Sequence, residues 1–414
     1  MNIDSDSDSN SNDNSSTNTG LTPQPDFSDL DTYLENMNVD GYLVDADGSS
    51  STQRYLSGFD APDPFMTVYT PEKTALLVSA LEYGRAQTES RADSVSRLAD
   101  YDYRSIVSDC DAPTAKARVT AQWLQDHDVT HVVTPERFPL GPADKLREHD
   151  LSVSAETDDV VTTIRAEKTE TEIEHIRDAQ KANEAAMETA ATIIDSATVT
   201  DGTLYYDNEI LTSERIKQAI ETTLLRHGCA LDETIVACGS DAADPHNRGH
   251  GPLSVDEPIV VDIFPQSKQT HYHADMTRTF LKGTPDETLS DWFELTQTAL
   301  TAAIDAIEPG ITGESVHDVV CDIYEDAGIS TLRSDPTAET GFIHSTGHGV
   351  GLDVHELPRV SPDGGELKPG HVITVEPGVY DPAVGGLRIE DLVVVTDSGV
   401  ENLTTYPITP LEAQ

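Results

Sequence analysis

Two carboxylates interrupt apolar segments in the second half of the chain. Asp262 lies within the apolar run 258–264, and Asp275 lies within the next run, 273–280. Burying a carboxylate inside an apolar strand costs free energy unless the group is paired or binds a metal. Because the two runs are typical of consecutive strands in a hairpin, their carboxylates can face each other across the pair. A salt bridge between Asp262 and an arginine is the structural alternative.

Three further polar residues stand in apolar surroundings nearer the C-terminus. Glycines flank His348 on both sides, and glycine permits a close approach of the backbone to a ligand. Glu376 ends an apolar run ahead of a Pro-Gly turn. Glu390 interrupts another apolar run, and Arg388 shares its predicted strand face because side chains alternate with a period of two. Each of these residues alone could be structural.

A pair of divalent metal ions is the simplest common cause for all five exceptions. Carboxylates can bridge two such ions when the ions lie about 3.5–4 Å apart. The set offers oxygen ligands, one imidazole nitrogen and no sulfur, which favours Mn²⁺ with Co²⁺ or Zn²⁺ as alternatives. The predicted metal ligands are Asp262, Asp275, His348, Glu376 and Glu390.

The elements that must position these residues fall into two predicted domains. Helices and strands alternate over residues 25–160, which predicts an α/β domain. A β-rich stretch from residue 160 then gives way to a long amphipathic helix. Residues 161–414 predict an α+β body rich in antiparallel hairpins, and this body contains all five predicted ligands. Residues 1–24 are polar and low in complexity, which predicts a disordered tail.

Composition excludes several classes of protein. The chain has 414 residues with 75 acidic against 26 basic side chains, and its net charge of −49 opposes binding to nucleic acid. No window approaches 18 consecutive apolar residues, so we expect no membrane association. The four cysteines are scattered without a metal-binding or disulfide pattern, so we expect a reducing cytoplasm.

The acidity belongs to the body of the chain, because only four acidic residues lie in the predicted tail. Repulsion among so many carboxylates is screened at about 1 M salt, where the Debye length is roughly 3 Å. We therefore expect the cytoplasm of a halophile. An acidic protein that mimics nucleic acid or binds basic partners is the alternative.

Four motifs show that the sequence resembles the pita-bread metallopeptidases, the family of methionine aminopeptidase, aminopeptidase P and prolidase. The motifs are ADMTRTF at 274–280, GHGVGLDVHE at 347–356, VEPG at 375–378 and LRIED at 387–391. Two weaker stretches, RYLSGF at 54–59 and residues 164–173, resemble the Xaa-Pro branch and its creatinase-like N-terminal domain. The resemblance implies an α+β fold in which a pita-bread catalytic domain follows a smaller α/β creatinase-like domain.

The resemblance also implies a role for each predicted ligand. Asp262 and Glu390 would bridge both metal ions, and Asp275 would bind one of them. His348 and Glu376 would complete the other site. Glu376 would also accept and return the proton of a hydroxide that bridges the metals.

Four residues around the ligands take roles from the same resemblance. His246 and His355 would contact the scissile amide and the developing oxyanion. His344 would lie near the substrate. Arg388 would hold Asp262 in position as a hydrogen-bonding partner.

The activity that the resemblance implies is hydrolysis of the bond between an N-terminal residue and a following proline in dipeptides or short peptides. A metal-bridging hydroxide would attack that bond. One alternative is a hydrolase of the same fold for another small amide or amidine, similar to creatinase or ectoine hydrolase; another is a non-catalytic binding module. The relatives also imply a homodimer. We expect His271 and His273 at the surface, with contact to the substrate as the alternative.

Overall fold

The computed structural model describes residues 25–231 and 233–411, so the predicted tail at residues 1–24 lies outside the described residues. The helices are α1 Ser28–Met37, α2 Ser51–Ser57, α3 Tyr83–Glu89, α4 Tyr103–Asp109, α5 Ala112–Asp126, α6 Leu140–Arg147, α7 Val160–Ala166, α8 Glu170–Ser196, α9 Ser213–Arg226, α10 Glu287–Ala306 and α11 Gly313–Asp326. Short 3₁₀ helices occupy Leu98–Tyr101 and Gly239–Ala243.

The strands of the described residues follow in chain order. They are β1 Gly41–Ala46, β2 Phe65–Thr70, β3 Lys73–Val78, β4 Ser94–Arg97, β5 His131–Thr134, β6 Ser152–Ala155, β7 Thr198–Thr200, β8 Thr203–Tyr206, β9 Glu209–Ile210, β10 Cys229–Ala230, β11 Ile235–Cys238, β12 Pro258–Ile263, β13 Gln266–Ser267, β14 Met276–Leu281, β15 Gly347–Gly349, β16 Glu356–Val360, β17 Val372–Val375, β18 Gly378–Asp381, β19 Gly385–Arg388, β20 Asp391–Thr396 and β21 Gly399–Asn402.

The N-terminal part of the described chain forms one mixed sheet with the strand order β4-β3-β2-β1-β5-β6. Strand β1 pairs antiparallel with β2 and parallel with β5. Helix α5 begins at an Asp111 side-chain cap and buries Trp123 and Leu124 in the core beside this sheet. Helices and strands thus alternate as the sequence predicts, and the α/β architecture of this part is confirmed.

Helix α8 is the long amphipathic helix that the sequence predicts. The side chains of Thr169 and Glu172 cap its first turn reciprocally. Its apolar face, with Ala186, Met187 and Ala190, is buried against α9 and against strands β12 and β14. The helix therefore supports the strands that carry Asp262 and Asp275.

Two antiparallel sheets form the framework of the second part. Their strand orders are β11-β12-β14 and β16-β15-β17-β20-β21. The backbone N–H of Glu390 donates to the carbonyl oxygen of Thr277 at 3.1 Å, which joins the two sheets beside the predicted ligands. Helices α10 and α11 share an apolar core with the larger sheet, which includes Phe293 and Tyr324. The α+β architecture predicted for this part is confirmed.

The stretch from residue 160, predicted to be β-rich, is helix α7, so this prediction was wrong. Val160, Val161 and Ile164 lie on one helical face and pack into the core that contains Leu30 of α1. The spacing of the apolar residues along the chain, rather than their β-branched shape, decides the element here.

Two predicted ligands lie at strand ends rather than inside strands. Asp275 precedes β14 by one residue, and Glu390 lies between β19 and β20. The sequence prediction placed both within strands and was wrong in that detail. A residue at the end of a strand is free of the strict alternation of faces, so its carboxylate can point into a cleft between sheets.

No helix within residues 25–231 and 233–411 is long and apolar enough to cross a bilayer. All four cysteines lie in these ranges, and each is a free thiol.

Candidate active site

A cleft of about 1140 Å³ is lined by all nine residues that the sequence analysis assigns to the site. The predicted ligands reach it from both sheets: Asp262 near the end of β12, Asp275 before β14, His348 within β15, Glu376 directly after β17 and Glu390 directly before β20. Strand β12 pairs with β14, and β17 lies between β15 and β20. Strand pairing within each sheet and the contact between the two sheets therefore bring together side chains that lie up to 128 residues apart, as Asp262 and Glu390 do.

Three of the predicted ligands form a compact group in which one atom of each lies within 4.8 Å of the others: Asp275, His348 and Glu390. His348 Nε2 is 3.7 Å from Asp275 Oδ2 and 3.5 Å from Glu376 Oε1. The other ring nitrogen, Nδ1, donates to the carbonyl oxygen of Gly349 at 3.1 Å. Because a carbonyl can only accept, Nε2 carries the lone pair that faces the carboxylates.

Asp262 has one oxygen held by the protein and one without a donor. Arg388 Nη2 donates to Asp262 Oδ2 at 2.7 Å. Asp262 Oδ1 is buried, and no group in the described residues donates a hydrogen bond to it. A buried carboxylate oxygen without a donor is unfavourable, and a cation in the cleft would satisfy it. The donor set therefore fits bound metal.

Burial and repulsion between neighbouring charges raise the pKa values of three of these carboxylates. Burial raises the pKa of Asp275 well above its ordinary range, and the charges of Glu390 and Asp262 raise it further. The pKa of Glu390 is also raised well above its ordinary range, first by burial and then by Glu376. Burial raises the pKa of Glu376 to about 8, although Arg388 opposes the shift. One guanidinium does not neutralise four carboxylates, and divalent cations would.

A tyrosine that the sequence analysis missed links two of the predicted site residues. Tyr380 is fully buried, and its hydroxyl accepts a hydrogen bond from Arg388 Nη1 at 2.9 Å. His344 Nδ1 donates to the carbonyl oxygen of Ser345 at 2.7 Å, so His344 Nε2 accepts from the Tyr380 hydroxyl at 3.0 Å. Burial lowers the pKa of His344 to about 3, and the Arg388 charge adds to that effect. Tyr380 lies four residues after Glu376, but a tyrosine in an apolar run is ordinary, so no signal in the sequence marked this role.

His355 and His246 border the cleft without being buried in it. The His355 ring contacts the His348 ring edge-to-face, with centroids 4.2 Å apart. Burial lowers the pKa of His355, and the nearby His246 also lowers it. His246 follows a turn in which its backbone N–H donates to Asp244 Oδ1 at 3.0 Å. Both imidazoles therefore face the same space as the predicted ligands.

His271 and His273 lie outside the cleft lining. His271 borders a separate cavity of about 210 Å³, and its Nε2 is 3.5 Å from Asp60 Oδ2 of the N-terminal part. The backbone N–H of His273 donates to the carbonyl oxygen of Gly351 at 2.8 Å. Both side chains are partly buried, and His271 lies where the two parts of the chain meet, which differs from the surface position that the sequence predicts.

Family models match both parts of the chain. The model of the creatinase/prolidase N-terminal domain matches residues 28–149. The model of metallopeptidase family M24 matches residues 174–397, which is more than half of the chain and includes all nine site residues. The chain belongs to metallopeptidase family M24. As a member of this family it is a metallo-hydrolase, and the family implies divalent metal ions at the site described above.

The chain shares sequence with Xaa-Pro dipeptidases from two Pyrococcus species. It is 34% identical to an Xaa-Pro dipeptidase of Pyrococcus furiosus over 251 residues, which span 60% of this chain and 65% of that protein. It is 27% identical to an Xaa-Pro dipeptidase of Pyrococcus horikoshii over 379 residues, which span 90% and 94% of the two chains. The second alignment therefore extends over nearly the whole of both proteins.

Solved structures share the fold of this M24 chain. The prolidase from Pyrococcus horikoshii superposes with a TM-score of 0.74 and 26% identity, and covers 92% of this chain and 98% of its own. The X-Pro aminopeptidase from Thermotoga maritima gives 0.73 and 26%, with coverage of 91% and 99%. The predicted fold, a creatinase-like domain followed by a pita-bread catalytic domain, is thereby confirmed.

Proposed function

We propose that this chain is a metal-dependent peptidase that hydrolyses the Xaa-Pro bond at the N-terminus of dipeptides or short peptides. The observation that carries the proposal is the cluster of four buried carboxylates and His348 in one cleft, in which Asp262 Oδ1 has no donor among the described residues. The names of the two Pyrococcus relatives supply the substrate class.

We further propose that the site holds two divalent cations, with Mn²⁺ favoured and Co²⁺ or Zn²⁺ as alternatives. Asp262 and Glu390 would be shared, Asp275 would complete one site, and His348 with Glu376 would complete the other. The mixture of carboxylate oxygens with one imidazole nitrogen supports this choice of metals. When bound, such a pair supplies a water-derived nucleophile at neutral pH and a Lewis acid for the scissile carbonyl.

The protein itself would supply proton transfer and orientation. Glu376 would take the proton of the nucleophile and pass it to the leaving proline nitrogen, as a general base and then a general acid. Its Oε1 accepts a hydrogen bond from Thr374 Oγ1 at 3.4 Å, which orients the carboxylate. Arg388 would hold Asp262 in its orientation through its 2.7 Å hydrogen bond.

Three histidines would act on the peptide. His355 and His246 would donate hydrogen bonds to the scissile carbonyl oxygen as negative charge develops on it. Their position at the cleft border supports this role. His344 would contact the substrate beside the ligands, with its ring held by Tyr380.

Several properties of the whole chain remain proposals as well. We place the domain boundary between residues 160 and 161, which lies in the first turn of α7. We also propose a homodimer in a halophile's cytoplasm, which the sequence resemblance, the free cysteines and the net charge of −49 support. Sedimentation in molar KCl measures the oligomeric state directly.

The activity is tested with the full chain in molar KCl after loading with Mn²⁺. Ala-Pro and Leu-Pro dipeptides, an Xaa-Pro-Xaa tripeptide, Met-Ala-Ser and creatine are offered separately, and released proline or amine is measured. We expect hydrolysis of the Xaa-Pro substrates alone, abolished by a chelator and restored by Mn²⁺ or Co²⁺. Hydrolysis of creatine or Met-Ala-Ser in preference to Xaa-Pro peptides, or full activity without metal, would contradict the proposal.

A further inference from the structure

The loop that carries His355 is fixed by two buried cations from the segment before α8. Arg165 Nη2 contacts Glu356 Oε2 at 2.5 Å and Asp353 Oδ2 at 2.7 Å. Lys168 Nζ contacts the other oxygen of Glu356 at 2.6 Å. The side chains of Arg165, Lys168 and Glu356 are only 5%, 1% and 3% exposed. Three charges therefore meet in a space that excludes water.

Burial of these charges is notable in a chain with so few cations. The sequence has 26 basic against 75 acidic residues, and most acids must remain in solvent. Buried ion pairs contribute little net stability, because desolvation offsets much of the attraction between the charges. They do fix geometry, since each partner is confined to one position by the others. A structural contribution alone therefore explains this group poorly.

The position of Glu356 gives the group a specific target. Glu356 follows His355 directly and pairs with Gly349, the neighbour of His348, where β15 and β16 meet at a bulge. The Glu356 carboxylate lies so close to Gly351 that a Cβ atom there would clash with it. The carboxylate thus fills the inside of the loop that joins the two histidines.

His355 lies at the solvent-exposed border of the cleft, where its ring packs edge-to-face on the His348 ring. On one side of it, Asp353 is held by Arg165 and by Ser51 Oγ of α2, which donates at 2.6 Å. On the other side, Glu356 is held by Arg165 and Lys168. The flanking residues therefore set where the imidazole points.

The anchoring side is itself rigid. The backbone N–H of Lys168 donates to the carbonyl oxygen of Gly370 at 3.0 Å, just before β17. Ser51 belongs to the N-terminal sheet's side of the molecule, whereas Lys168 is tied to the larger catalytic sheet. Contacts from both parts of the chain therefore hold the loop in place.

We propose that Arg165 and Lys168 are positioning residues for the reaction: through the Glu356 carboxylate they hold His355 at the angle from which it meets the scissile carbonyl. The inference rests on the proposed peptidase function for its effect on turnover. It does not rest on that function for its effect on the His355 ring. It also explains why the segment 164–173, which resembles the Xaa-Pro branch, carries basic residues at 165 and 168.

The kinetic test compares Lys168→Met with Lys181→Met, which makes the same replacement at an exposed ion pair on α8. Both are assayed as full-length, Mn²⁺-loaded protein in molar KCl. For Lys168→Met we expect kcat per folded, metal-loaded chain to fall about 10- to 100-fold with little change in KM, because misorientation removes stabilisation at the transition state. Lys168→Arg, which keeps the charge, should recover part of the loss. Lys181→Met should match the wild type.

A double-mutant cycle separates positioning from general damage. In a His355→Ala background, Lys168→Met should cause almost no further loss of kcat, because the residue that it positions is gone. Ser51→Ala removes one hydrogen bond without burying a charge, and it should lower kcat in the same direction by a smaller factor. An equal loss with and without His355 would overturn the proposal.

A measurement without substrate keeps the result independent of the peptidase activity. Nitrogen-15 labelled histidine spectra of the metal-free chain, with His355 assigned from the His355→Ala spectrum, should show its ring signal moved in Lys168→Met and the signal of His131 in β5 unmoved. A Lys168→Met protein with a lower melting temperature but unchanged His355 signal and kcat would overturn the proposal. If the His355 signal moves in Lys168→Met but the wild type cleaves no Xaa-Pro peptide, the proposed function is overturned and the positioning of His355 still stands.

Discussion

At the scale of single residues, charged side chains within apolar segments were the most useful signal in the sequence. Asp262 and Glu376 stood out because carboxylates rarely interrupt apolar strands without a partner. The structure places both in one cleft, and the salt bridge from Asp262 to an arginine, which was the structural alternative, exists beside the predicted metal site. Tyr380 gave no such signal, because a buried tyrosine is ordinary until its hydroxyl is known to join His344 and Arg388.

Glu376→Gln tests the proposed proton transfer. The amide keeps the size and one ligand oxygen but removes the titrating group. We expect the variant to fold and to keep its metal stoichiometry with a lower affinity, while turnover falls about 10²–10⁴-fold. His246→Ala should keep full metal content and lose on the order of 10²–10³-fold through weaker oxyanion stabilisation. Elemental analysis beside turnover separates the two; near-full turnover in Glu376→Gln would place proton transfer elsewhere.

Tyr380→Phe tests the link between His344 and Arg388. Loss of the hydroxyl leaves His344 Nε2 without its donor and Arg388 Nη1 without this acceptor. We expect a loss of about 1–3 kcal/mol in the free energy of unfolding and a drop in turnover of roughly 10-fold. Tyr324→Phe is the matched control, because Tyr324 is also fully buried and its hydroxyl contacts Thr296 in the core beside α10. It should lose stability and keep its turnover; equal turnover in the two variants would contradict the link.

At the scale of elements, helices with clear caps and periodicity were predicted closely. The sequence predicts a helix over residues 289–307, and α10 spans Glu287–Ala306 behind the side-chain cap of Asp286. Strands β3 and β12 were placed to within a residue or two. The failure at α7 has a physical reason: three β-branched residues share one face at helical spacing, and packing on α1 outweighs their weak preference for strands.

His371, in the turn before β17, should make the free energy of unfolding depend on pH. Burial lowers the pKa of His371 to about 3, and the charges of Lys168 and Lys368 add to that effect. His371 Nδ1 accepts a hydrogen bond from the backbone N–H of Lys368 at 3.1 Å, which requires the neutral ring. The folded state therefore binds fewer protons than the unfolded state, where histidine titrates near pH 6.5. Stability is present above that pH and is lost as the pH falls from about 6.5 towards about 3.

The slope that His371 contributes is at most about 1.4 kcal/mol per pH unit. Urea unfolding in molar KCl at about pH 7 and about pH 5 measures it. His371→Gln retains an acceptor and does not titrate, so this variant should lose less stability on acidification than the wild type. His149→Gln alters a histidine outside the cleft lining and serves as the comparison. Parallel pH profiles for wild type and His371→Gln would show that His371 contributes no such slope.

At the scale of the whole molecule, the sequence predicted two domains but did not predict which residues join them. The alternation of helices and strands and the long helix α8 were visible, and the fold class followed. The contact between Ser51 and Asp353, about 300 residues apart, was not visible, because nothing in a single sequence pairs one serine with one aspartate. For the same reason, the contact of His271 with Asp60 and the partly buried position of His273 were missed.

The net charge of −49 gives the last prediction, a requirement for salt. The chain has 26 basic against 75 acidic side chains, and some of the cations are shared: Arg333 contacts Asp318, Asp322 and Glu325, and Arg85 contacts Glu82 and Glu89. The basic side chains of the chain are too few to neutralise the remaining carboxylates, so dissolved ions must screen them. The Debye length falls from about 10 Å at 0.1 M to about 3 Å at 1 M, so repulsion between surface carboxylates weakens steeply over that range. We expect the melting temperature and the activity to rise together and to level off near about 1 M KCl.

A charge variant distinguishes screening from a general effect of solutes on apolar burial. Replacing the exposed Glu221, Asp291 and Asp305 by lysine moves the net charge six units towards zero without touching the cleft. The variant should reach its folded, active state at a lower KCl concentration than the wild type, because less repulsion remains to be screened. Sucrose at matched osmolality should replace KCl poorly for both proteins, since it strengthens burial without screening charge. A wild type that stays folded and active after dialysis into dilute buffer would remove the basis for the halophilic interpretation, whatever the variant does.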